Sequence, residues 1–104
     1  MIPRSHHFLM LVERTPDNEL FHFSLAQALV TEGRAEEAVP HYAFCIAKKL
    51  DWMMPRILLG KIHIACGRRV QARALLESAL ALAISQAHED PEKELRALLA
   101  DLRE

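Results

Sequence analysis

Six histidines and two cysteines carry the most versatile chemistry in this sequence, because imidazole and thiolate both ligate metals and act in catalysis. Two histidines on one helix share a metal ion when they are spaced i, i+4, which puts both rings on one face. His6, His7, His22, His41, His63 and His88 include no such pair, and the adjacent His6 and His7 diverge by about 100° around a helix. No metal site and no cofactor are expected. Cys45 and Cys66 have neither metal nor redox spacing. Cys66 stands beside the positive Gly67-Arg68-Arg69 turn, a setting for a reactive thiol or for an inert one at a helix end, and the inert reading is preferred. Ser24 and Ser78 have no histidine nearby in sequence. The three glycines, Gly33, Gly60 and Gly67, are too dispersed for a phosphate loop. With no catalytic residue found, the chain is expected not to be an enzyme, and a metal- or thiol-dependent regulator is the outlying alternative.

Arg68, Arg69 and Arg73 form the one basic cluster. It reads as a solvated helix start, with Asp51 and Glu77 available to balance it, rather than as a nucleic-acid site. A net charge of −1 with His neutral supports that choice, since nucleic acid and anionic membranes select a basic excess. Neither partner is expected. The apolar run Phe8–Val12 is closed at once by Glu13 and Arg14, and Ala79–Ile84 is far shorter than a membrane span. Two cysteines inside expected helices read as reduced thiols of a cytoplasmic protein.

The elements that carry these residues are helices. The chain has 104 residues, 51% of them hydrophobic, enough for one domain over 1–104 in which every helix contributes an apolar face. Gly33 and Gly67 lie 34 residues apart, and at that offset other positions coincide without gaps. Leu25 falls on Leu59, Ala26 on Gly60, Arg34 on Arg68, Ala38 on Ala72, Tyr42 on Leu76, Cys45 on Ala79 and Ile46 on Leu80. The first unit spans 19–52 and the second 53–86. Each is a helix, a glycine turn and a second helix: 19–31 and 35–49, then 53–66 and 70–87. Asp17 or Asn18 is placed to cap the first, and Gly33 to end it in the left-handed conformation. Pro55 sits in a first turn, whereas Pro40 lies deeper and is expected to bend its helix.

The same offset extends to both ends. Phe8, Leu11 and Val12 correspond to Tyr42, Cys45 and Ile46, so 6–14 reads as the second helix of a leading half-unit. Asp90-Pro91 opens a last helix over 90–104, whose Leu95, Leu98, Leu99 and Leu102 make one apolar stripe on a capping helix. That stripe falls five residues late, so the preceding helix or its connection must be longer.

This pattern resembles the tetratricopeptide repeat family. The resemblance rests on Leu25-Ala26, Ala38 with Tyr42, and Pro16 around the first unit, and on Leu59-Gly60 and Ala72 with Leu76 in the second. His22 and Arg56 stand where the family has Trp, Leu29 and His63 where it has Tyr, and Leu50 and Ile84 where it has Pro. The resemblance implies an all-α fold of antiparallel helix–turn–helix repeats, a right-handed superhelical α-solenoid of about two and a half repeats plus a capping helix. It also implies a function: the first helices line a concave face that holds a partner protein or peptide. That face would comprise Leu20, Phe23, Ser24, Gln27 and Val30, then Met54, Ile57, Leu58, Lys61 and Ile64. Seven of the ten are apolar. The basic clamp by which some family members grip a chaperone's C-terminal carboxylate is not matched, since Phe23, Met54 and Leu58 occupy its places. A partner peptide or helix, a second copy forming a homodimer, or the C-terminal helix itself are the candidate occupants.

Overall fold

In this computed structural model, residues 2–103 are described, and they form six α-helices with no strand among them. These are α1 (Arg4–Arg14), α2 (Glu19–Thr31), α3 (Ala35–Lys48), α4 (Met53–Ala65), α5 (Arg69–Ser85) and α6 (Glu89–Asp101). No helix among the described residues is long and apolar enough to cross a membrane. The chain divides into two compact units, one running to Leu50 and one from Asp51.

In the first unit, α2 starts where Asn18 Oδ1 accepts the amides of Leu20 (2.9 Å) and Phe21 (3.2 Å). It ends at Gly33, whose φ of 76° lets the Arg34 amide reach back to the Leu29 carbonyl at 2.8 Å. The chain then returns as α3, antiparallel to α2. Leu25, Ala26 and Leu29 of α2 and Ala38, Tyr42 and Cys45 of α3 are all buried. Alanine at 26 and 38 lets the helices close, and Tyr42 fills the space one turn on, its ring edge-to-face with Phe23 at 5.8 Å between centroids. α1 packs on α2 through Val12 and starts two residues earlier than the sequence pattern implies. Glu32, at the end of α2, accepts the Ser5 amide at 3.0 Å and the Ser5 hydroxyl at 2.7 Å, so α1 is capped from outside itself.

The second unit repeats the hairpin with α4 and α5. Its core gathers Met53, Ile57, Ala72, Leu76, Ala79 and Ala83 with Leu95 of α6 and Leu102 just past its end. Gly60 is required by packing rather than by φ, since a Cβ there would lie 2.8 Å from Leu76 Cδ2. α5 has 17 residues against 14 in α3, but its connection to α6 is one residue shorter, so α6 starts at Glu89, only two residues later than the repeat offset implies and not five. α5 closes as α2 and α4 do, but with Ala87 rather than glycine in the left-handed position (φ 57°) and the His88 amide bonded to the Ala83 carbonyl.

Candidate functional site

The ten repeat-packing positions behave as their types demand. Leu25, Ala26, Ala38, Tyr42, Leu59, Gly60, Ala72 and Leu76 are buried, while Gly33 and Gly67 sit exposed in left-handed turns. The expected partner-facing residues divide less evenly. On α2, Leu20 (56% exposed), Gln27 and Val30 (41%) face solvent, with Phe23 and Ser24 half-buried. On α4, Met54 is 44% exposed, Leu58 and Ile64 are half-buried, and Lys61 is exposed with its ammonium 3.5 Å from Glu94 of α6.

Ile57 departs from expectation. It is only 2% exposed and belongs to the core that α6 completes, so the fold holds this side chain and does not offer it to a partner. Ile64 also packs against that core, as do Leu98 and Leu99 of α6. Much of the outward face of α4 is thus covered within its own unit, whereas α2 keeps more of its face open.

Within the first unit a cleft of about 470 Å³ runs between α1 and α2, lined by Phe8, Ser24, Gln27, Ala28, Thr31 and Glu32. It joins two of the expected partner-facing positions to α1, which the sequence pattern leaves out of that face. A second cleft of about 280 Å³ lies over Leu9, Leu25 and Leu29, with Arg34, Glu37 and His41 on its rim. Arg34 is pinned there by a two-pronged pair to Glu37, at 2.7 and 2.8 Å.

Several of the residues singled out for chemistry are held by structural partners. Cys45 is buried, its thiol donates to the Glu19 carbonyl at 3.3 Å, and burial pushes its pKa up to about 11. The neighbouring Tyr42 hydroxyl is likewise raised to about 12 by burial. Ser78 donates to the Leu75 carbonyl and accepts from Arg56 Nη1. Arg69 and Arg73 are engaged in a way the sequence did not indicate. Both donate to the Leu102 carbonyl, at 2.7 and 2.8 Å, and so close the C-terminal end of α6. Among the described residues no group of three or more His, Cys, Asp or Glu is arranged to hold a metal ion.

One arrangement is absent from any sequence spacing. His22, from α2, and His41, from α3, bring their Nδ1 atoms to 2.9 Å, and His22 Nε2 lies 2.7 Å from the Pro16 carbonyl. The His22 ring stacks on Phe44 at 4.0 Å between centroids. Burial first, and then the nearby His22, depress the pKa of His41. The two histidines are 19 residues apart on different helices, so only the register of the α2–α3 hairpin brings them together.

The architecture defines a tetratricopeptide-like helical repeat protein. No family model matches the chain, and no curated protein matches it. Solved structures do match. PcrH in complex with the chaperone binding region of PopD superposes with a TM-score of 0.87 at 21% identity, covering 95% of this chain and 75% of that one. PcrH from Pseudomonas aeruginosa gives a TM-score of 0.84 at 21% identity, over 96% of this chain and 76% of that one. At this identity the likeness is one of fold.

Proposed function

We propose that the chain is a non-catalytic protein-binding module that takes an apolar segment of a partner on the outward faces of its first helices. The observation that carries this reading is the likeness to PcrH across nearly the whole chain, in a structure where PcrH holds a region of another protein. Exposed apolar side chains support it. Leu20 and Val30 on α2 and Met54 on α4 are far more open than a core needs, and an aqueous fold gains nothing by exposing them. The cleft beside Phe8, Ser24 and Gln27 adds a concave surface of the size that receives one or two side chains. Phe23 lies on α2 with Leu20, and on α4 Leu58 and Lys61 accompany Met54, with Ile57 held in the core of that unit.

The test is a displayed library of apolar peptides, both extended and helical, panned against the purified chain. Enriched peptides should bind the wild type and lose at least about tenfold on Leu20→Glu or Met54→Glu, with Gln71→Glu on α5 as a neutral control. Binding that ignores both substitutions places the site elsewhere. A dimer in light scattering that Leu20→Glu disperses would assign the same face to a second copy.

A further inference from the structure

We propose that His22 and His41 form a proton-operated latch, which closes α3 onto α2 and the α1–α2 turn while the pair holds at most one extra proton and opens when both rings are charged. The proton count follows from geometry. A carbonyl only accepts, so His22 Nε2 must carry a hydrogen toward the Pro16 oxygen 2.7 Å away. Neutral His22 then has its lone pair on Nδ1. The bond to His41 Nδ1, at 2.9 Å, therefore requires His41 to donate from Nδ1 and keep its own lone pair on Nε2.

One extra proton enters at His41 Nε2 without disturbing either bond. A second must go to His22 Nδ1, where it sets N–H against N–H and two positive rings about 5 Å apart, with centroids at 5.2 Å. The latch then loses its hydrogen bond, and the stack of His22 on Phe44 is left carrying a buried charge. The other ionisable groups on the cleft rim beside His41 are His6 of α1 and the paired Arg34 and Glu37. The Glu37 carboxylate is already engaged by Arg34 through two bonds, so this rim does little to compensate a doubly charged pair. Burial already depresses the pKa of His41, consistent with a site that resists charge.

Imidazole nitrogen NMR on the intact chain tests the arrangement directly. At pH 7.5 His22 should be the Nε2–H tautomer and His41 the Nδ1–H tautomer, the less common form of a free histidine. Both rings as Nε2–H would face lone pair to lone pair and overturn the proposal. Denaturant unfolding between pH 7.5 and 5, in chelator, then tests the switch. The wild-type unfolding constant should rise with acid more steeply than that of His41→Gln, by up to about tenfold per pH unit for each extra proton the unfolded chain takes. His41→Gln keeps a donor for His22 but does not titrate, and equal slopes in the two proteins would sink the idea. If the variant fails to fold, the tautomers still decide.

Discussion

Glu32 and Ser5 are joined twice, through the serine amide at 3.0 Å and its hydroxyl at 2.7 Å, so the last turn of α2 supplies the cap that α1 lacks in its own sequence. Pro3, at the capping position, has no side chain able to accept. Arg34 Nη1 completes the arrangement, lying 3.3 Å from both the serine hydroxyl and the glutamate.

Removing this link should loosen α1 before anything else. Ser5→Ala is expected to cost about 1 kcal/mol in denaturant unfolding, and Glu32→Gln to speed amide exchange in the first turn of α1. Ser5 holds the Glu32 carboxyl below its ordinary pKa of 4.5. As pH falls below that value the unfolded chain takes up the proton first, so this contribution is present above it and fades in acid. Unchanged exchange in Glu32→Gln would show that α1 needs no such cap.

Ala87 is the one described non-glycine residue with positive φ, in the position that Gly33 and Gly67 fill at other helix ends. Ala87→Gly should raise stability by about 0.5–1 kcal/mol, because an L side chain is strained there. Gly33→Ala and Gly67→Ala should lower it by a similar amount. A fall in melting temperature for Ala87→Gly would contradict the geometry.

Gly60→Ala pushes a methyl into Leu76, which is fully buried. Overpacking of about 1–3 kcal/mol outweighs the roughly 1 kcal/mol gained in helix propensity, so the variant should be less stable. In a Leu76→Ala background the same change should become neutral or stabilising. That reversal in a double-mutant cycle is the decisive measurement.

Ile57 and Leu20 should separate folding from binding. Ile57→Ala removes a core side chain and is expected to cost about 2–5 kcal/mol. Leu20→Ser, at a 56% exposed position, should shift stability by less than about 0.5 kcal/mol. Equal losses would mean that Leu20 is part of the core.

The two thiols should differ in reach. Cys66 is exposed and Cys45 buried, with its pKa raised to about 11. A thiol reagent at neutral pH should modify one cysteine in the native chain and two after unfolding. Rapid native labelling of Cys45 would show that the α2–α3 hairpin opens freely.

Much of this architecture was legible in the residues because it is local and periodic. The 34-residue offset, the glycine turns, the alanines at 26, 38 and 72 and the large residues at 42 and 76 each act through a neighbouring turn or the adjacent helix of the same hairpin. Helix geometry converts that spacing into a packed face without further information. The sequence by itself thus determined the antiparallel hairpins, their packing residues and the apolar character of α2 and α4. What joins distant positions was decided only by tertiary structure. The capping of α1 by Glu32, the seat of Arg69 and Arg73 on the Leu102 carbonyl and the meeting of His22 with His41 all depend on how helices lie against one another. The loss of Ile57 from the partner face has the same origin. Its sequence position puts it on the outward side of α4, and only the docking of α6, through Leu95 and Leu102, turns that side into core.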